Sequence, residues 1–303
     1  MKLVHLIEDR NYVRTNCFQH MLLANLVDQC TEYVDITVAD INSGVSIPRC
    51  DVILSTLKLR TIYRISTRLG SLLDGREIYV YDQDPWESFV DTASFKGAYD
   101  DIVRKINVRS FINTSKWWTD FLNDKGFKSV FARMWPLNKY CSLGTDWEKR
   151  EIKFGFKGGL HPHRKKAFDE LSKMGLDVTI LPSGSYDDFL NDLSRIQFFL
   201  NEQSGEKWTI QGAQMPGGFK YTNWTKEIEI SSRGAVAIRM YEPGLESYLV
   251  NEMPAIMTYK DLSEVPRIIE NALANPSDTK EKIKHTVDFI RSRKEWFSLA
   301  ELP

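Results

Sequence analysis

Residues 152–182, IKFGFKGGLHPHRKKAFDELSKMGLDVTILP, contain the pattern that decides the fold. An apolar strand runs into the glycines at 158 and 159, and a helix follows, with Pro162 near its start and Gly175 beyond its end. A second apolar strand comes next, at 177–182. A strand, a helix and a strand in this order predict two parallel strands joined by a crossover helix.

The same alternation extends in both directions from this segment. Upstream, the predicted strands lie at 3–7, 34–41, 51–56, 76–85, 108–115 and 129–136. Predicted helices lie between them, near 15–29, through Arg60, Arg64 and Arg68, near 96–106 and near 116–125. Downstream, the predicted elements are a helix at 187–195, strands at 196–203, 235–240 and 254–259, and helices near 224–233, 263–275 and 278–296. The sequence therefore predicts an α/β protein with two Rossmann-like domains that face each other across a cleft.

Charge, cysteine usage and hydropathy bound the function class. Lys and Arg number 40 against 41 Asp and Glu, a net charge of −1, so wholesale nucleic-acid binding is not expected. No apolar run reaches the roughly 18 residues of a membrane span, and the start MKLVHLIEDR is typical of a first strand rather than a signal peptide. The four cysteines form no CxxC pair, which favours reduced thiols in a cytoplasmic protein.

Residues 224–276 carry the most specific pattern in the chain. Lys226 and Glu229 stand on a short helix, Gly234 opens an apolar strand five residues later, and a PGLE stretch follows at 243–246. This order resembles the C-terminal domain of GT-B glycosyltransferases, in particular the CgeB-like branch, and is similar to the group 1 glycosyl transferases. The loop FKGGLHPHR at 156–164 also looks like the first loop of that domain.

The resemblance implies an activity and a domain plan. It implies a hexosyltransferase-type enzyme that moves a sugar from a nucleotide-sugar donor to the hydroxyl of a glycan, lipid-linked or other acceptor, with no cofactor and no metal. Residues 1–138 would bind the acceptor, 139–151 would be a linker, and 152–277 would bind the donor. Residues 278–303 would form the terminal helix, which in this family packs back on the N-terminal domain.

The helix at 224–233 supplies the first set of candidate donor ligands. Lys226 and Glu229 lie three residues apart, on one helix face, and Thr225 stands at the helix start. A carboxylate accepts ribose hydroxyl bonds, and a helix N-terminus attracts a diphosphate. An exposed ion pair is the alternative. Retaining GT-B enzymes of group 4, which the chain resembles, carry two Glu separated by seven residues; with Glu229 as the second, the first position holds Tyr221 here, so the stereochemical outcome stays open.

The glycine loop supplies the second set. Gly158 and Gly159 allow a phosphate to approach the backbone, and Lys157 and Arg164 supply cations beside them. The loop precedes a helix, as an anion site requires. A plain strand-to-helix turn is the alternative interpretation.

Three acids are candidates for the catalytic base. Asp82 and Asp84 form a DxD pattern after an apolar strand, and Asp9 follows the first strand. A DxD pair can hold a metal ion in other glycosyltransferases, but two Rossmann-like domains favour metal-independent catalysis. We favour Asp84 as the base, because Pro85 and Trp86 would stiffen its loop.

The sequence is also consistent with two other functions, and it suggests roles for two tryptophans and a histidine. A nucleotide-sugar 2-epimerase of the same fold and a non-catalytic surface or spore-coat assembly protein are the alternative functions. Trp117 and Trp118 favour core packing, with peripheral membrane contact as the alternative. His5 is expected in the interior of the first strand.

Overall fold

The structure is a computed structural model. It describes a large part of the chain, namely residues 1–15, 17–82, 85–89, 95–133, 135–136, 138–160, 162–201, 209–210, 213–214, 225–241, 249–293, 298–299 and 302. The chain forms two compact units. Residues 1–134, 206–220 and 297–303 form the first unit, and residues 135–205 and 221–296 form the second.

The first unit is built on a six-stranded parallel sheet. Its strands are β1 (Lys2–Ile7), β2 (Glu32–Thr37), β3 (Val52–Ser55), β4 (Ile78–Tyr81), β5 (Val108–Asn113) and β6 (Ser129–Phe131). Their order is β2-β1-β3-β4-β5-β6. The middle strands are apolar on both faces, as expected where helices cover a parallel sheet.

In the described part of this unit, helices connect the strands. They are α1 (Arg10–Thr15), α2 (Cys17–Gln29), α3 (Val38–Ser43), α4 (Leu59–Leu73), α5 (Ala98–Lys105) and α6 (Lys116–Asp124). The helix α3 corrects the strand predicted at 34–41. Thr37 caps this helix, because its hydroxyl accepts from the Asp40 amide while the Asp40 carboxylate accepts from the Thr37 amide. This capping box ends the strand at Thr37.

The tryptophans of α6 pack against aromatic side chains of the first unit. Trp118 is buried, and Trp117 stacks on Phe121 with ring centroids 5.1 Å apart. Phe89 packs against both Trp118 and Phe121. The helix is therefore held by aromatic packing, as the sequence favoured. Among the described residues, no helix combines the length and the apolar character needed to cross a bilayer.

The second unit holds a five-stranded parallel sheet. Its strands are β7 (Ile152–Phe156), β8 (Thr179–Ile180), β9 (Ile196–Asn201), β12 (Val236–Met240) and β13 (Ile256–Tyr259), in the order β13-β12-β9-β7-β8. The short antiparallel strands β10 (Thr209–Ile210) and β11 (Ala213–Gln214) group with the first unit, and they fall in the stretch where the sequence indicated only a loop. The helices are α7 (Pro162–Lys173), α8 (Tyr186–Leu193), α9 (Thr225–Ser232), α10 (Leu249–Glu252), α11 (Val265–Ala274) and α12 (Pro276–Ser292).

The stretch 139–151, interpreted above as a linker, is part of the second unit. Trp147 is buried and donates from Nε1 to the Gln197 carbonyl at 3.0 Å. Arg150 is buried too, and its guanidinium donates to the carbonyls of Ile196, Leu143 and Arg233 at 2.6–2.9 Å. A chain segment with buried anchors of this kind is fixed to its unit, so the division between the units falls after residue 134.

The helix α12 packs within the second unit. Its Thr286 hydroxyl accepts from the Ala255 amide at 3.0 Å, and Ile283 and Val287 are buried. We expected residues 278–303 to pack back on the first unit as one helix. The helix ends at Ser292 and groups with the second unit, whereas residues 297–303 group with the first unit, where the Leu299 amide donates to Gln29 Oε1 at 2.9 Å.

Candidate donor site of the second unit

The loop after β7 lies where ligands bind in sheets of this topology. From β7, the chain goes to β8 on one side and then to β9 on the other. This reversal leaves a crevice at the carboxyl ends of β7 and β9. Lys157, Gly158 and Gly159 follow β7 at that point, and Gly158 has a φ of +153°. A side chain at Gly158 would place its Cβ 3.2 Å from the Phe156 ring, so the loop requires glycine there.

Arg164 braces this loop from the first turns of α7. Its Nη1 donates to the Gly159 carbonyl at 2.6 Å, and its guanidinium carbon lies 5.4 Å from the centroid of the Phe156 ring. Arg164 is half-buried, so its positive charge lies beside the glycines at the end of β7. The structure thus brings Gly158, Gly159 and Arg164 together, as the sequence predicted.

Lys157 is placed differently from the sequence prediction. Its amine is buried and lies 2.5 Å from Asp192 Oδ2, which makes it a poor cation for a diphosphate. Asp192 also pairs with Arg195 at 3.2 Å. Because the charge of Lys157 is already neutralised in a buried pair, we assign it to holding α8 against the end of β7. This corrects its assignment as a donor ligand.

Thr225 and Lys226 lie at the half-buried start of α9, and Glu229 lies further along the helix, where it is buried. Lys226 Nζ lies 3.9 Å from Glu229 Oε2 and 4.0 Å from the centroid of the Phe189 ring. The lysine side chain is 28% exposed and that of Glu229 only 4%. Thr225 is half-buried at the first position of the helix. The spacing of three residues therefore gives the side-chain pair that the sequence predicted.

Glu229 is an unusual carboxyl group. Its Oε1 has no hydrogen-bond partner among the described residues, although the side chain is buried. Burial raises the pKa of Glu229 from 4.5 to about 7, the Lys226 ammonium opposes this rise, and the Glu227 carboxylate adds to it. A buried acceptor without a donor carries a free-energy cost, so it is a good position for a ligand hydroxyl.

Sequence reasoning missed a second buried acid on the same helix. Glu227 Oε1 accepts from Asn201 Nδ2 at 2.7 Å and lies 2.9 Å from Arg239 Nη1. Asn201 ends β9 and Arg239 stands near the end of β12, and the two are paired in the strand register. An Arg inside the apolar strand VAIRM is the signal that would have indicated a buried partner.

The candidate bases of the first unit differ in accessibility. Asp9 is exposed and accepts from the Tyr12 amide at 2.6 Å, so it caps α1. Asp82 is 3% exposed and accepts from the Tyr99 hydroxyl at 2.5 Å. Because that carboxylate is enclosed, we now assign Asp82 to anchoring the end of β4 rather than to catalysis. Asp84 lies outside the described residues.

Two further sequence hypotheses concern histidines and metals. His5 is fully buried in β1, where Nδ1 lies 2.8 Å from the Tyr33 hydroxyl and Nε2 lies 2.9 Å from the Thr56 hydroxyl. The expectation of an interior histidine is confirmed. In the part of the chain that the structure describes, no three His, Cys, Asp or Glu side chains are grouped so that they would hold a metal ion.

Comparison with known proteins gives results for the fold but not for the sequence. No family model matches the chain, and no curated protein is similar to it in sequence. Among solved structures, an alpha-glucosyltransferase in complex with UDP-glucose and DNA containing an abasic site superposes with a TM-score of 0.59. It is 9% identical, over 95% of this chain and 94% of that chain.

Two sugar-phosphate synthases superpose as well. Alpha,alpha-trehalose 6-phosphate synthase from Burkholderia multivorans has a TM-score of 0.51 and 8% identity, over 96% of this chain and 95% of that chain. Sucrose-phosphate synthase from Thermosynechococcus elongatus has a TM-score of 0.51 and 12% identity, over 81% of this chain and 70% of that chain. The likeness to the CgeB-like branch stays a prediction, while the α/β architecture with two Rossmann-like units is confirmed. The chain has the GT-B fold of glycosyltransferases.

Proposed function

We propose that the protein is a glycosyltransferase that moves a sugar from a nucleotide-sugar donor to an acceptor hydroxyl. The observation that carries this proposal is Glu229, a buried carboxyl with one unpartnered oxygen, next to the Lys226 ammonium on α9. The register pairs Gly155 with Phe199, which brings the glycine loop level with Asn201 at the carboxyl edge of the sheet. Glu227 binds Asn201, so the start of α9 lies at that edge too.

In this proposal, each group at the edge has one task. Glu229 accepts hydroxyl bonds from the ribose of the donor, and the glycine loop lets the diphosphate approach the backbone. Arg164, Lys226 and the first amides of α9, at Thr225, stabilise the negative charge that grows on the leaving diphosphate. Because these groups supply the positive charge, we propose that transfer needs no metal ion.

In this proposal, the first unit binds the acceptor. A carboxylate there removes the proton of the attacking hydroxyl, and exclusion of water protects the donor from hydrolysis. A hexose is the proposed transferred group, because the structural neighbours include an alpha-glucosyltransferase in complex with UDP-glucose, a sucrose-phosphate synthase and a trehalose 6-phosphate synthase. The acceptor is a sugar-bearing or other hydroxyl compound.

The experiment that tests this function is a melting-temperature panel of UDP-, GDP-, CMP- and dTDP-sugars. A ligand that binds only the native state raises the melting temperature, so one nucleotide class is expected to stabilise the protein. Turnover of that donor is then measured with candidate acceptors, with and without EDTA, and EDTA is expected to leave the rate unchanged. A changed sugar without acceptor would instead indicate an epimerase, and no stabilisation by any donor would favour the non-catalytic alternative.

Donor affinity is expected to depend on the protonation of Glu229. Ribose hydroxyls bind its ionised form, and its pKa is about 7 before binding, so affinity should increase as the pH rises from 6 to 8. The substitution Glu229→Gln should remove this pH dependence and weaken binding by about 1–3 kcal/mol, the scale of lost hydrogen bonds to a charged group. Isothermal titration of the donor at several pH values measures both effects.

A matched control is available on α10. Glu252 is an exposed acid of the same unit, and Glu252→Gln should leave donor affinity and its pH dependence unchanged. The variant Arg164→Ala should lower turnover, because the guanidinium acts on the diphosphate as the bond breaks. Unchanged donor affinity in Glu229→Gln and unchanged turnover in Arg164→Ala would together remove the donor site from this edge of the sheet.

A further inference from the structure

Asn201, Glu227 and Arg239 form a buried polar network at the carboxyl edge of the second sheet. All three side chains are almost completely enclosed, with exposures of 2%, 0% and 1%. The two strand residues are register partners, and both contact the same oxygen, Glu227 Oε1: Asn201 donates a hydrogen bond to it, and Arg239 forms an ion pair with it. The network therefore ties the first turn of α9 to two neighbouring strands at once.

Stability alone explains this network poorly. Enclosing an ion pair costs desolvation free energy, and apolar side chains of similar volume often stabilise a core as well or better. Here the cost is increased, because Glu227 Oε2 has no hydrogen-bond partner among the described residues. Packing would hold α9 without any charge, since Ile228 and Ile230 are already fully buried.

Directional polar contacts fix the orientation of a helix, which apolar packing alone does not. A hydrogen bond from Asn201 and an ion pair with Arg239, both at one carboxylate oxygen, fix the rotation and the height of α9 relative to the strand ends. Glu229 stands two residues further along this helix and Lys226 one residue before, so their positions follow that of Glu227. A displacement of about 1 Å in a ligand-binding group is enough to cost a large factor in rate or affinity.

We propose that Asn201, Glu227 and Arg239 are positioning residues that hold α9 in register with the strand ends, so that Lys226 and Glu229 meet the donor. The inference rests on the proposed function, because it takes α9 to be the donor helix. None of the three residues contacts the donor in this proposal, and their effect on binding passes through the position of α9.

The test uses an apolar replacement that should keep the fold. The triple variant Asn201→Leu, Glu227→Met, Arg239→Met removes the polar groups together, so no unpaired charge stays buried. Its melting temperature is expected to stay within about 4 °C of the wild type. Its affinity for the UDP-, GDP-, CMP- or dTDP-sugar that stabilises the wild type is expected to fall at least about tenfold.

A control separates positioning from a general loss of stability. Ile269→Ala creates a cavity under α11 and should lower the melting temperature while donor affinity, measured well below melting, stays unchanged. The single variant Glu227→Gln should lower both the melting temperature and the donor affinity, because it removes the carboxylate that pairs with Arg239. A triple variant that binds donor as tightly as the wild type would overturn the proposal.

Amide hydrogen exchange of α9 keeps this test independent of the donor. In the triple variant, the amides of Thr225–Ser232 are expected to exchange faster than in the wild type while the global stability is the same. If no sugar nucleotide binds the wild type, the proposed function fails, and this exchange still decides whether the network positions the helix. Unchanged exchange in α9 would show that the network does not position the helix.

Discussion

Replacing Asp84 by Asn is expected to reduce turnover by about 10²–10⁴-fold, the range for a lost general base, while donor affinity stays nearly constant. Asn keeps the size of the side chain but does not take up the acceptor proton. Asp84 follows the anchored end of β4, where Asp82 is bonded to Tyr99, and Pro85 next to it is buried. These contacts hold the strand end that precedes Asp84 in the chain.

Asp9→Asn is the matched variant for this measurement. Asp9 caps α1, and Asn caps a helix about as well, so this exchange removes the charge without removing the cap. Turnover close to that of the wild type is expected. If Asp9→Asn loses the rate and Asp84→Asn keeps it, the base lies after the first strand. If neither loses the rate, no carboxylate base acts, and a retaining mechanism or a non-catalytic protein is indicated.

The stability of the first unit is expected to fall as the pH decreases through the titration of His5. Burial lowers the pKa of His5 from 6.5 to about 3. Between these values, the unfolded chain binds a proton that the folded unit does not, so acid favours unfolding. At about 1.4 kcal/mol per pKa unit, the contribution of His5 lowers the free energy of unfolding by about 5 kcal/mol between pH 6.5 and pH 3.

The variant His5→Gln isolates this contribution. Gln can bond to the hydroxyls of Tyr33 and Thr56 but does not titrate, so its unfolding free energy should depend less steeply on pH below 6.5. Urea unfolding at several pH values, followed by amide exchange in β1, measures the difference. His285→Gln is the control, because His285 is exposed on α12 and should leave the pH dependence unchanged. Parallel curves for the wild type and His5→Gln would contradict the prediction.

Much of the architecture follows from local patterns in the chain. The alternation of apolar strands with amphipathic helices predicted most strands of both parallel sheets, because strand and helix periods are properties of neighbouring residues. The segment 34–41 was the exception. Its apolar residues continue past Thr37, while the capping box of Thr37 and Asp40 starts a helix. The strand prediction is wrong there because hydropathy alone does not end a strand, whereas the capping residues, which are present in the sequence, begin a helix.

The candidate donor site was predictable in part. The Lys226–Glu229 pair depends only on helical spacing, and the glycine loop depends on a strand being followed by a helix. The burial and the charge partners of each group were not predictable. Lys157 was assigned to the donor because a lysine beside glycines is typical of phosphate loops, but Asp192, 35 residues away, neutralises it.

The sequence by itself determined most of the helices and strands, the parallel character of both sheets and the residues at the ends of most of their strands. Only the tertiary structure decided which strands are neighbours, and with that the crevice between β7 and β9, the burial of Glu229 and the network of Glu227 with Arg239 and Asn201. The physical reason is one of range. Backbone periodicity acts over a few residues, whereas desolvation and buried charge pairing depend on groups that only the packed sheet brings together.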